Sequence, residues 1–217
     1  MGALVGMALR AGALIGAVGL LGNVASPPVR ATAPAEVQDC PVAYLGPYDV
    51  EHFNDYEFTN DGEGRPESAV ADYGTLVRQD GGRDQRCEAR VGQYAGVAAG
   101  YDGGHLIASF LNGPSIRENL VPMQGLTVNR DVYLTFERAI GRCLDKLGPG
   151  ALKYTVSVLY HSSGLVPGEI HPHLTIAVQG VHHEIELYIP NQVLDDNTRA
   201  ELDEEVDQQA DRAGCPR

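Results

Sequence analysis
Positive charge is in deficit in this chain, no two cysteines stand close together, no long apolar run interrupts it, and no segment repeats. Aspartate and glutamate number 29 against 16 lysines and arginines, a formal net charge of −13. Such a charge repels polyphosphate at long range, whereas proteins that grip nucleic acid tightly are usually basic. Without a ligand-like cysteine pair, a structural zinc site has nothing to start from. The most apolar stretch, residues 11–22, is too short and too rich in glycine to favour a membrane span, which needs about 20 strongly apolar residues. No cysteine follows it, which argues against a lipid-anchored form.

What does stand at the N-terminus has the layout of a secretory signal peptide: Arg10, the apolar run, and a small-residue site at Asn23-Val24-Ala25. Cleavage is expected after Ala25, with Ala33 and Ala35 as later sites in a loose segment over 26–39, and a retained N-terminal anchor is the alternative. Losing Arg10 takes the net charge from −13 to −14, one positive charge fewer. Export implies disulfide-permissive surroundings, so Cys40, Cys87, Cys143 and Cys215 are expected to form two bridges. Three pairings are open. Cys40–Cys87 with Cys143–Cys215 is favoured because the second ties the C-terminal segment to a helix end. About one domain of chain remains, expected over 40–190, with an acidic helix or tail over 191–217. The expected location is extracellular, with no membrane attachment after cleavage.

The negative charge is unevenly placed. Asp195, Asp196, Glu201, Asp203, Glu204, Glu205, Asp207 and Asp211 crowd the C-terminal segment and read as a solvated helix or tail. Around the middle of the chain Arg78, Arg83, Arg86, Arg90, Arg117, Arg130, Arg138 and Arg142 give a local balance suited to an anionic substrate.

Periodicity supplies the elements. Aromatics between Cys40 and Asn60 read as short strands covering a core, with Tyr44, Tyr48, Tyr56 and Tyr154 as core tyrosines. A turn follows at 60–66, then a strand over 68–77 and a second turn at Gln79-Asp80-Gly81-Gly82. Residues 83–99 have mixed periodicity and are assigned no state. Val132, Tyr133, Phe136, Ile140, Cys143, Leu144 and Leu147 recur at steps of three and four, one apolar face of a helix over 129–147, which Gly148-Pro149-Gly150 stops. Strands are expected at 153–160, 169–178 and 181–190. Gln179-Gly180 would join the last two as a two-residue hairpin, which sets His173 opposite Glu186, Leu174 opposite Ile185, Ile176 opposite His183 and Ala177 opposite His182. That alternation splits His171, His173, His182 and His183 between two faces and speaks against a second metal site.

Chemistry concentrates in residues 101–147. His105 is the best general base in the chain, since imidazole accepts a proton near neutral pH. Gly103 and Gly104 would let the backbone turn tightly and a bulky phosphate approach. Asn119 and Asn129 offer neutral oxygen ligands of the kind that suit magnesium, although Asn129 serves equally as a helix cap. Glu137 lies eight residues beyond Asn129, about 12 Å of rise and about 80° of rotation on an α-helix, better placed to hold a metal's waters than to share direct coordination.

The segment Asp102-Gly103-Gly104-His105-Leu106-Ile107, followed by Glu118-Asn119-Leu120-Val121-Pro122 and by Asn129, resembles the signature of the DNA/RNA non-specific endonucleases. The resemblance covers 101–147 closely and about 56–190 more loosely. It implies an α+β fold with a ββα-metal (His-Me finger) core, flanking antiparallel strands and disulfide stabilisation. It also implies that His105 activates water, that Asn129 is the direct Mg2+ ligand, that Glu137 works on the metal's water shell, and that Asn119 supports the site. The products implied carry 5′-phosphates. Gly103 departs from the best-known branch, which has arginine there, and Arg90, Arg117, Arg130 and Arg138 are the candidates to replace that phosphate-binding cation. Tyr133 and Phe136 stand where relatives often carry tryptophan and methionine.

The reading favoured is thus an exported Mg2+-dependent endonuclease acting on DNA, with RNA left open. A toxin role would call for a delivery domain or a protective inhibitor or immunity protein, so a free secreted enzyme is preferred. The rival is a catalytically inactive, disulfide-stapled binding protein of the cell envelope on the same fold, motivated by the acidic charge and Gly103. Oligomeric state is undetermined at this level.

Overall fold
Alternating β-branched and aromatic segments build one antiparallel sheet, and the three-to-four periodicity builds the helix laid on it. In the computed structural model, the described residues are 44–96 and 99–217. They form β1 (Val50–Phe53), β2 (Tyr56–Asn60), β3 (Pro66–Ala71), α1 (Gln85–Gly92), β4 (Tyr101–His105), β5 (Leu120–Gln124), α2 (Tyr133–Leu147), β6 (Leu152–Leu159), β7 (Glu169–Val178), β8 (Val181–Glu186), β9 (Ile189–Pro190) and α3 (Asp196–Arg212). The expected signal and linker segments over 1–25 and 26–39 lie outside the described residues, as does Cys40, the expected partner of Cys87.

The large sheet runs β1-β2-β3-β6-β7-β8, with β9 also on β7. Gln179-Gly180 is the two-residue turn, both residues at positive φ, and the register pairs His173 with Glu186, Leu174 with Ile185, Ile176 with His183 and Ala177 with His182. A tight turn between alternating strands allows one register only, which is why this pairing is legible in the sequence. Along β6 and β7 every second residue is buried, among them Leu152, Tyr154, Val156, Ile170, Leu174 and Ile176. Phe136, Ile140 and Cys143 of α2 fill the same core.

Three expectations give way, and one unassigned stretch gains a state. The strand expected over 68–77 ends at Ala71, because Asp72 accepts a backbone hydrogen bond from Thr75 (3.1 Å) across a turn in which Gly74 takes φ +87°. The unassigned stretch 83–99 contains α1, opened by Asp84, whose carboxylate accepts from the backbone N–H groups of Arg86 and Cys87. Tyr44 and Tyr48 are 49% and 76% exposed, unlike the fully buried Tyr56, because they precede the outer edge strand β1, all of whose residues face solvent. The helix expected from 129 is α-helical only from Tyr133; a π-helical segment, Gly125–Val132, precedes it.

The acidic C-terminal segment forms α3. It buries Val206 and Ala210 against α2 and β8, and Cys215 beyond it is bonded to Cys143 of α2. Arg142 donates to Asp207 (3.0 Å) and to the Cys215 carbonyl (3.4 Å), so charge and covalent link hold the same corner. The bridge closes a sequence separation of 72 residues. Loops of that size confer about 2–4 kcal/mol, largely by restricting the unfolded chain. The double replacement Cys143→Ala with Cys215→Ala is expected to lower unfolding stability by that amount in a urea titration; an unchanged midpoint would show that α3 docks without the link.

Candidate active site
β4 and β5 form a separate two-stranded ribbon, pairing His105 with Leu120 and Gly103 with Pro122. α1 packs on this ribbon, as does the π-helical segment that leads into α2. Strand, strand and helix thus follow in the order that the resemblance implies. The ribbon is tied to the large sheet by Asn191, which accepts from the Gln124 N–H (2.8 Å) and donates to the carbonyls of Pro122 (2.9 Å) and Pro167 (2.8 Å).

Directly after His105 the chain leaves the ribbon, and buried polar groups satisfy its backbone. The Leu106 carbonyl accepts from the hydroxyls of Tyr133 (2.6 Å) and Tyr154 (3.1 Å). The Ile107 N–H donates to Asn119 Oδ1 (2.7 Å), and Asn119 Nδ2 donates to the carbonyls of Ile107 and Pro114, both at 2.9 Å. Asn119 is therefore fully buried and fully used in bracing the loop behind His105. The Tyr133 hydroxyl shares that bracing, a polar task that a reading of the residue as packing alone misses.

A cavity of about 620 Å³ opens between α1, β4 and α2. Its walls bring together His105, Asn129, Glu137 and Arg130, together with Arg83, Glu88 and Asp102. Asn119, Arg90, Arg117 and Arg138 do not line it. Arg117 is fully buried, donating to the Leu120 carbonyl and lying 5.4 Å from the Tyr94 ring. Arg90 and Arg138 sit on the surface. Of the four arginines named from sequence, the structure places Arg130 alone on the cavity wall, and it adds Arg83.

Gly103 and Gly104 do not have positive φ; they are needed for close approach. A Cβ on Gly103 would lie 2.3 Å from the Glu88 carbonyl oxygen, so α1 occupies the space a side chain would need. A Cβ on Gly104 would lie 2.3 Å from Met123 Sδ and 2.9 Å from Asn129 Oδ1. A side chain as long as arginine thus has no room at position 103 while α1 sits here.

The electrostatics separate the groups. His105 is 6% exposed, and burial pushes its pKa down to about 4; the Glu88 carboxylate opposes this fall and the Arg83 charge adds to it. The imidazole is consequently neutral at pH 7. Glu137 is moved the other way, up to about 8, by the protein crowded around it, against the pull of Arg83 and Arg138. Its side chain still reaches the cavity, and it makes no hydrogen bond or ion pair with a described residue. For Asp102, burial disfavours the charge, but hydrogen bonds from Arg130 (2.7 and 2.9 Å) and Asn129 Nδ2 (3.2 Å) outweigh it and hold the carboxyl below its usual range. That bond orients Asn129, and its Oδ1 accepts no hydrogen bond from a described residue.

The profile of the DNA/RNA non-specific endonucleases matches residues 47–177, more than half of the chain. The chain belongs to the DNA/RNA non-specific endonuclease family. Among curated proteins no match is found. The endonuclease is therefore a nuclease that acts on nucleic acid, in a family that is metal-dependent. The matched span ends within β7, so β8, β9 and α3 stand outside it.

The endonuclease's donor set fits a hard divalent ion. Among the described residues no three His, Cys, Asp or Glu side chains converge as a protein-only cage. What the cavity offers instead is the Asn129 amide oxygen and the Glu137 carboxyl group, both without hydrogen-bond partners among the described residues, which suits an ion that keeps most of its waters. Glu88 and Ser115 flank His105, and Arg83 holds Glu88, yet none of the three stands in a motif. Asp84 as a helix N-cap was the available signal, since it starts the helix that turns Glu88 inward.

Proposed function
We propose that the protein is a secreted, Mg2+-dependent endonuclease that hydrolyses DNA, with RNA as a second substrate to be tested, and leaves 5′-phosphate ends. The observation that supports it is a neutral, buried histidine in one cavity with two oxygen ligands, Asn129 and Glu137, that have no hydrogen-bond partner among the described residues. His105 takes a proton from a water molecule, and the resulting hydroxide attacks phosphorus. The bond to the 3′ oxygen breaks, and that oxygen takes a proton from solvent. Asn129 would bind the ion directly and Glu137 through water; when bound, the ion offsets charge on the phosphate and on the departing oxygen. Arg83 and Arg130 face the cavity with guanidinium groups suited to phosphate oxygens. The signal-like N-terminal segment supports export.

The test is to incubate the purified chain with plasmid DNA and with RNA, in magnesium or in EDTA, and to analyse the ends. Cleavage in magnesium alone, with ends that ligate without prior phosphorylation, is expected. Intact substrates in magnesium from neutral to alkaline pH would overturn the enzyme reading in favour of an inactive binder.

A further inference from the structure
Among the described residues, His105 makes its side-chain hydrogen bond through one nitrogen. Nε2 lies 3.1 Å from Ser115 Oγ and 3.9 Å from Glu88 Oε1, while Nδ1 has no hydrogen-bond partner among the described residues. Ser115 Oγ accepts from the Asp84 N–H (3.0 Å), and its single proton can go to Glu88 Oε1 (3.5 Å), to the Gly82 carbonyl (3.4 Å) or to His105 Nε2. Glu88 is 7% exposed and is held from its far side by Arg83, whose Nε donates to Oε1 at 3.0 Å and whose Nη2 donates to Oε2. A carboxylate only accepts, and charge-assisted bonds are the stronger ones, so the serine proton is drawn towards Glu88. Ser115 Oγ then has a lone pair left for a proton on Nε2.

We propose that Glu88, acting through Ser115, is the positioning residue that holds the neutral His105 imidazole with its proton on Nε2 and leaves Nδ1 as the proton acceptor. This rests on the role given to His105 above and adds the machinery behind it. Once Nδ1 has taken a proton from water, the ring carries a positive charge, and the carboxylate 3.9 Å away stabilises it. The arrangement also accounts for Gly103: only a residue without a Cβ lets α1 come close enough to bring Glu88 beside the histidine.

Glu88→Gln keeps the shape but can donate from its amide, which turns the Ser115 hydroxyl towards Nε2 and shifts the imidazole proton to Nδ1. Nitrogen chemical shifts of the His105 ring, measured on the histidine-labelled full chain in EDTA, read this directly. The wild type is expected as the Nε2–H tautomer and Glu88→Gln as mostly Nδ1–H. With DNA and magnesium, kcat for Glu88→Gln is expected to fall by about 100-fold or more with KM within about threefold, because only the proton transfer is affected. Ser115→Ala should lose the same tautomer preference and Ser115→Thr should retain it, which carries the test if the buried glutamate change impairs folding. A wild-type Nδ1–H ring, or a ring unchanged in both Glu88→Gln and Ser115→Ala, overturns the proposal. A wild type that does not cut DNA overturns the functional reading instead, and the tautomer measurement still decides this one.

Discussion

His105→Ala is expected to lower kcat for DNA cleavage by about 10²–10⁴-fold with little change in KM, the range typical of losing a positioned general base. The ring is buried, and burial has already placed its pKa near 4, so it is neutral and able to accept a proton from mildly acid to alkaline pH. The sign is that of a base: activity limited by His105 alone falls only as pH drops through about 4, well below the ordinary 6.5 of histidine. A kcat within tenfold of wild type, in a variant whose circular dichroism and melting are native, would remove His105 from the base role. His105→Ala leaves a void behind Ser115, so folding must be compared before the rates are.

The second large effect is a coupling between pH and magnesium through Glu137. Its carboxyl keeps a proton up to about pH 8 in the metal-free chain, because surrounding protein disfavours the charge. An ion whose waters are held by that group is bound more tightly by the carboxylate than by the acid, so apparent Mg2+ affinity should weaken as pH falls below about 8 and level off above it. In activity assays the acid limb should lie near pH 8 when magnesium is scarce and move down as magnesium rises. Glu137→Gln should flatten the dependence; an affinity independent of pH between 6 and 8 in the wild type would refute the coupling.

Folding stability carries the same signature. Between the ordinary carboxyl value of 4.5 and about 8, the folded chain holds a proton on Glu137 that the unfolded chain has lost, so metal-free stability falls as pH rises through that window. His105 acts oppositely between about 4 and 6.5, where the unfolded chain binds the extra proton and stability rises with pH. The two slopes oppose each other where they overlap. From 6.5 to 8 Glu137 acts alone, and the melting temperature in EDTA should decline there, with magnesium reversing the decline.

The parts readable from sequence are those governed by neighbours along the chain. Gln179-Gly180 between alternating strands admits a single register, and the pairs His173–Glu186 and Leu174–Ile185 follow from it. The apolar face from Val132 to Leu147 is a property of helical winding, and it is buried on the sheet as that winding requires. His105, Asn129 and Glu137 line one cavity because the ribbon, the π-helical segment after it and α2 carry them in turn.

What stayed hidden depends on segments that meet only after folding. Glu88 and Gly103 stand 15 residues apart in sequence, and nothing local states that the helix of one rests on the strand of the other. Arg83 was a surface arginine among many until Glu88 held it at the cavity wall. Asn119 reads as a site residue by its motif, yet its amide is used entirely on Ile107 and Pro114, a bond pattern that exists only once the chain turns away from the ribbon. The pKa values of His105 and Glu137 moved in opposite directions for the same reason: how many protein atoms surround each group is a property of packing, and packing is not written in the spacing of residues. Residue types and local periodicity therefore set the strands, the helix and the chemical groups available, while the closeness of α1 to β4 set which groups act together and in which protonation state.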